Sequence, residues 1–433
     1  MVQGARRRPR GPVRLARRFA ALPRSRLHRP PRPGAVLASV RYRWVVLGIA
    51  TFAQAASSFF VQGIGAMGIT LQRDLDLSTA QLGLLLSAAQ FAPLIGLVVA
   101  GELLDRYNER WVVGAGACVV AAGLGAGSLA PGYAALLGVL LVVGAGYSTA
   151  QPGGSKAVAS WFDASQRGLA MGLRQAGLPL GGALAAAVLP LVADVHGWRT
   201  ALVVGGCVAL AGAAVFMGFY RAPPLPEAPR GEKVTLAARV RMLREPSMVK
   251  IMLSGTSLIS VQSGILVLTV LYLHDVTELG AGAAALVLVV AQGAGVAGRI
   301  CMAAWSDRVG SGRYASVMIC MVAVVAGMAA LATPLGRAAP TACLLFVWLG
   351  FFGYGWYGPW VAYVAESAPP GKTGFALGLA MSVNQIAIIL APPLLGLLRD
   401  ATGGFTPVWG VLAAMTGVAL AVTARAQRRP CAV

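Results

Sequence analysis

The sequence predicts an all-α membrane protein whose twelve transmembrane helices form two pseudo-symmetric six-helix bundles. Three observations carry this prediction. The 433 residues are 57% hydrophobic and only 12% charged, too few charges to keep a soluble domain of this size dissolved. Apolar runs long enough for a ~30 Å hydrocarbon core recur along most of the chain, and in lipid such runs must be helices that satisfy their own backbone N–H and C=O groups. Segments of the first half recur in the second.

In order along the chain, residues 1–43 are rich in Arg and Pro and free of acids, which predicts a disordered basic cytoplasmic arm. The arm lacks the apolar centre and cleavage site of a secretory signal, and it suits attraction to anionic lipid headgroups. The N-terminal bundle occupies 44–220. Its expected spans are Trp44–Ala66, Gln81–Leu104, Trp111–Ala130, Tyr133–Trp161, Gly168–Val195 and Thr200–Tyr220. Residues 221–247 form an expected cytoplasmic loop, Pro-rich at first and then amphipathic and basic, suited to lie on the inner membrane surface. The C-terminal bundle, 248–424, holds spans Met248–His274, Ala281–Trp305, Tyr314–Leu335, Thr341–Ser367, Thr373–Arg399 and Phe405–Ala424, and 425–433 are a cytoplasmic tail. Span 5 opens with Gly168–Gly172 (GLAMG) and span 11 with Gly374–Gly378 (GFALG); each closes on an acid and a turn glycine, Asp194 with Gly197 and Asp400 with Gly403.

The formal charge of +21 would suggest nucleic acid in a soluble protein, but its distribution indicates topology instead. Basic turns at Arg106/Arg110, Arg167, Arg308/Arg313 and Lys372 alternate with turns holding only Arg73, Arg199, Arg337 and Arg399. With the basic arm, loop and tail, this is the positive-inside pattern, with both termini cytoplasmic in the plasma membrane. The six cysteines are scattered without a CxxC pair, and His28, His196 and His274 are isolated, so no metal site, cofactor or disulfide framework is indicated. Nor is a Ser/His pair or carboxylate dyad visible at membrane depth, so an enzyme is not expected.

The turn Gly101-Glu102-Leu103-Leu104-Asp105-Arg106-Tyr107-Asn108-Glu109-Arg110 resembles the signature Gly-x-Leu-x-Asp-Arg-x-Gly-Arg-Arg of the major facilitator superfamily, matching at Gly101, Leu103, Asp105, Arg106 and Arg110 and departing at Asn108 and Glu109. A second copy ends span 8, with Asp307, Arg308 and Arg313 and with Ala303 in place of the first glycine. The resemblance covers 44–424. It implies a secondary carrier working by alternating access, in which this turn gates the cytoplasmic face, with Asp105 near the start of span 11 and Asp307 near the start of span 5. The alternative for each turn is an ordinary charged turn that anchors topology.

Acidic residues fall almost entirely in turns and near helix ends, whereas Lys156, Arg174 and Arg299 enter the membrane. Arg299 precedes Asp307 by eight residues, roughly 12 Å at 1.5 Å per residue. An uncompensated guanidinium at that depth must face a cavity or a partner. It resembles the anion-binding arginine of carboxylate-transporting facilitators, and Arg174 is a candidate second positive group. The resemblance also directs attention to spans 1, 4, 7 and 10, hence to Gln54, Gln62, Tyr147, Gln151, Ser257, Gln262, Tyr354, Tyr357 and Trp360, with Asn384 and Gln385 from span 11. Each is alternatively an interhelical hydrogen bond or an interfacial ring. Helix breaks are expected at Gln151–Gly154 and Gly358–Pro359, corresponding places in the two halves.

These readings converge on a carrier of a small organic or inorganic anion such as a monocarboxylate, in which one chain suffices. Two alternatives stay open: an efflux pump for hydrophobic compounds, favoured by the aromatic residues of span 10, and a non-transporting receptor or scaffold on the same fold.

Overall fold

The computed structural model describes residues 33–77, 79–223, 245–309 and 312–428, and among these it contains helices and no strand. Eleven helical segments are long and apolar enough to cross a membrane. The twelfth span is the second, which Pro93 divides into Thr79–Phe91 and Pro93–Arg106, each too short alone. The remaining spans of the first half are Pro33–Gly63, Glu109–Ser128, Tyr133–Trp161, Ala164–His196 and Trp198–Phe219. Those of the second half are Pro246–Thr277, Ala281–Arg308, Arg313–Leu331, Ala339–Ser367, Thr373–Thr402 and Thr406–Arg428. By contact the chain divides into residues 1–42 and 43–433; of the first unit only the helical stretch from Pro33 is described.

Three expected edges are corrected. The helix of span 1 begins at Pro33 and its apolar crossing segment at Arg41 rather than Trp44, so the end of the expected disordered arm is helical. Pro33 is the last of the Pro-rich stretch and is well placed at a helix start, and the Ala, Val and Leu after it sustain a helix. Residues 1–32 of that arm lie outside the described residues, as do 224–244 of the central loop. Span 9 stops at Leu331, because Pro334 opens a separate 3-10 turn. Span 12 runs on to Arg428, into the expected tail.

Proline also sets the bends. A proline leaves the carbonyl four residues earlier without its helical donor. Pro152, Pro179 and Pro359 do this to Ser148, Gln175 and Gly355, and the helices part at Ser148–Thr149, Ala176 and Trp356. The breaks therefore fall ahead of the expected Gln151–Gly154 and Gly358–Pro359. Pro152 and Pro359 occupy the first turn of the new helix, where no donor is needed.

Spans 3, 6, 9 and 12 pack within their own halves, while the halves meet through span 2 with 11 and span 5 with 8 and 10. These meetings concentrate on Pro93–Arg106, Ala164–Gln175 and Tyr357–Ser367, at the end carrying the Asp105 and Asp307 turns. Toward the other end Thr79–Phe91 touches span 11 only lightly, so the halves part there.

Two carboxylates hold the joined end. Asp105 accepts the backbone N–H groups of Gly374 and Phe375, both at 2.8 Å, in the first turn of span 11. Asp307 accepts those of Gly168 at 2.9 Å and Leu169 at 2.7 Å in span 5. Charge-assisted bonds of this kind exceed neutral ones, and a negative charge near a helix N-terminus is favoured by the dipole. Gly101 permits the approach, because a Cβ there would collide with the Gly374 carbonyl.

Cations complete each tie. Lys156 meets Glu109 at 3.0 Å and stands 3.9 Å from Asp105. Arg313 pairs with Asp307 and Glu366 and donates to the Ala164 carbonyl, and Arg167 meets Glu366 at 3.1 Å from the other half. Arg106 instead pairs with Glu102 on its own helix, Arg110 stacks on Trp111 at 5.3 Å, and Arg308 is exposed. The two departures from the signature have partners of their own: Asn108 caps span 3 by accepting from Arg110 N at 2.8 Å, and buried Glu109 receives Lys156.

Converting Asp307 to Asn removes the charge from both N–H bonds and from the Arg313 pair, each worth about 1.5–3 kcal/mol. With Ser306→Cys as a buried reporter beside it, Asp307→Asn is expected to raise the rate of thiol labelling at least about tenfold over the Ser306→Cys protein, since about 1.4 kcal/mol is already tenfold. An unchanged rate would mean that the contact does not hold the two halves together.

Candidate functional site

A cavity of about 260 Å³ lies between the halves, lined from spans 1, 2, 4 and 5 on one side and 7, 8, 10 and 11 on the other. The structure brings Gln62, Tyr147, Gln151, Gln262, Arg299, Tyr357, Asn384 and Gln385 together on its wall. Arg174, Gln54 and Tyr354 stand behind it. Ser257 and Trp360 are buried elsewhere, bonded to the backbone of Ser254 and Ile251 within span 7.

Arg299 is 3% exposed and is the cation of the wall. Its Nη1 donates to the Gln175 carbonyl at 2.9 Å, the carbonyl that Pro179 leaves without a helical donor. The rings of Tyr354 and Tyr357 flank its guanidinium at 5.6 and 5.8 Å, within cation–π reach. Its Nε is buried without a partner, and no carboxylate among the described residues forms an ion pair with it. No acid among the described residues lines the cavity.

Arg174 has a different fate from the expected second anion-binding group. It is fully buried, and its guanidinium donates to Ser155 Oγ at 2.9 Å, Gln54 Oε1 at 2.7 Å, and the Ala150 and Gln151 carbonyls at 2.8 and 2.9 Å. These bonds tie spans 1 and 5 to the second helix of bent span 4. Gly154 makes room for them, since a Cβ there would strike the guanidinium. Gln54 is consumed in the same cluster. Tyr354 offers its ring to Arg299, while its hydroxyl is buried and unpartnered.

The neutral polar groups divide into two sets. One set bridges the halves: the Tyr357 hydroxyl donates to Gln151 Oε1 at 3.2 Å, and Gln385 Nε2 donates to the Gln90 carbonyl and side chain at 3.0 and 3.1 Å. The other set is buried with amide atoms unpaired: both atoms of Gln175, both of Asn384, and Gln262 Oε1. Gln90 and Gln175 escaped the sequence reading because the family resemblance directed it to spans 1, 4, 7, 10 and 11. The available signal was a glutamine at mid-depth of an otherwise apolar run, which is as informative in spans 2 and 5. Chemically, one fixed cation among neutral amides can hold an anion and orient its polar substituents. Among the described residues, no group of three or more His, Cys, Asp or Glu is placed to hold a metal.

The sequence profile of the Major Facilitator Superfamily matches residues 47–392. An uncharacterized MFS-type transporter of Mycobacterium tuberculosis (strain CDC 1551 / Oshkosh) is 27% identical over 373 residues, 85% of this chain and 82% of the relative. The hexuronate transporter of Escherichia coli (strain K12) is 26% identical over 181 residues, 42% of either chain. Among solved structures, the facilitator FucP in the outward conformation superposes with a TM-score of 0.72 at 15% identity, covering 88% of this chain and 99% of that one. It shares the fold of two six-helix halves. The protein belongs to the Major Facilitator Superfamily.

Proposed function

We propose that the protein is a secondary transporter of a small organic anion, moving it by alternating access through the cavity between the halves. One observation carries the reading: Arg299 is buried in that cavity, and no carboxylate among the described residues pairs with it. A guanidinium at membrane depth is costly unless a counter-charge arrives, and here the substrate brings it. Support comes from the hexuronate transporter among the relatives, whose named substrate is a sugar carboxylate. With Arg174 enclosed by its own hydrogen bonds, the site offers a single cation among the described residues, which suits a monoanion.

The alternation of basic and base-poor turns argues that the joined end faces the cytoplasm, with both termini there and the plasma membrane as the location. The conformation is then closed inward by the Asp105 and Asp307 ties. For the opposite state, those ties release and the contacts form at the other end. One chain contains both halves, so a monomer suffices.

In proteoliposomes, Arg299→Ala is expected to lower uptake of a labelled carboxylate such as galacturonate by at least about a hundredfold, the order of 3 kcal/mol for a desolvated charge pair. Full transport by Arg299→Ala would refute the anion site. Arg174→Met is expected to behave differently, because it strips a buried network rather than a ligand contact. The loss of its hydrogen bonds, each worth about 1.5–3 kcal/mol, should appear as a lower melting temperature in detergent. An Arg174→Met protein that melts like the parent would refute the structural role.

A further inference from the structure

The Gln175 side chain is 1% exposed, lines the cavity, and has neither its Oε1 nor its Nε2 hydrogen-bonded. Burying an amide without partners is unfavourable, so a buried, unpaired amide on a cavity wall marks a place for a ligand. Its position relative to Arg299 is fixed by the backbone: the Gln175 carbonyl receives Arg299 Nη1 at 2.9 Å, so this amide belongs to the residue that anchors the cation. Pro179 keeps that carbonyl free, and the helix break at Ala176 ends the turn at Gln175.

An amide presents one donor group and one acceptor, and a hydroxyl can answer either. A carboxylate oxygen answers only the donor; a methylene answers neither. We propose that Gln175 is a specificity-determining residue that contacts the substrate and reads a hydroxyl close to the carboxylate held by Arg299. The cavity then takes hydroxylated carboxylates in preference to unsubstituted acids of equal length. Asn384, 2% exposed with both amide atoms unpaired, lines the cavity from the other half and offers the same chemistry to a second hydroxyl. The assignment rests on the anion reading of Arg299. Without a bound anion, the Gln175 amide would be a polar wall group that water satisfies.

The discriminating change is Gln175→Met, close in size and apolar, which leaves the backbone carbonyl and hence the Arg299 anchor in place. Calorimetric titration of the purified full chain with gluconate and with hexanoate reads the preference directly. The native protein is expected to bind gluconate at least about tenfold tighter. Gln175→Met should bring the ratio close to one by weakening gluconate alone, Gln175→Asn should retain part of the preference, and all should melt near the native temperature. Equal binding of both acids by the native protein, or an unchanged ratio in Gln175→Met, overturns the Gln175 assignment while leaving the Arg299 site standing. Loss of both acids in Gln175→Met also counts against it, since a hydroxyl reader must spare hexanoate. Failure of the native protein to bind either acid sinks the anion reading and this assignment with it.

Discussion

A proline inside a transmembrane helix leaves one carbonyl without its donor, and lipid has no water to replace it. Much of the candidate site follows from how this chain meets that constraint. Pro179 frees the Gln175 carbonyl, and the donor that takes it, Arg299, comes from the opposite half. Pro152 and Pro359 bend spans 4 and 10 near matching levels, and the side chains just past the bends, Gln151 and Tyr357, meet across the cavity. Span 11 stands in register with span 5 through the paired GLAMG and GFALG starts, and there Gln385 occupies the place of Pro179. Span 11 runs unbroken from Thr373 to Thr402, and Gln385 uses its side chain to reach Gln90 of span 2.

The same physics distributes the charges. Acids cost too much at mid-depth, so they lie at helix ends, where backbone N–H groups and nearby cations offset their desolvation. Asp105 and Asp307 each borrow two N–H donors from one short stretch of backbone in the other half, which makes the joined end cohesive. The second tie includes an ion pair across the boundary, Arg167 with Glu366, whereas Lys156 and Glu109 brace Asp105 from its own half and the charge of Lys372 acts on it from the other.

Architecture was legible in the sequence because it depends on quantities a sequence displays: apolar length, the alternation of basic turns, and repeated motifs. The spans lie near their expected places, and the departures have local causes, such as helix-favouring residues after Pro33 and the 3-10 turn at Pro334. The turn carboxylates were legible for a similar reason, since Asp105 and Asp307 sit in a recognisable motif. Partners were less so. In the sequence Lys156 is only a basic residue entering the membrane; in the structure it pairs with Glu109 at 3.0 Å. Gln90 and Gln175 had no motif to mark them, and whether a polar side chain faces a cavity or a neighbouring helix is decided by bends that shift its bearing.

Arg174 and Arg299 make that last point sharply, for at the level of sequence they are near equivalents, one basic residue at similar depth in each half. What separates them is the surface each meets. Arg174 faces the second helix of span 4, where the bare Cα of Gly154 admits the guanidinium and two carbonyls, a serine and Gln54 accept from its Nη1 and Nη2, leaving its Nε, like that of Arg299, without a partner. Arg299 faces two aromatic rings and a single carbonyl, which shield and aim the charge without cancelling it. A buried guanidinium whose hydrogen bonds are largely satisfied gains little from an anion; one held by rings and one neutral acceptor retains most of its field. The difference between the enclosed arginine and the one proposed to bind therefore lies in the neighbours supplied by the fold, and Pro179 and Gly154 are as much a part of it as the arginines themselves.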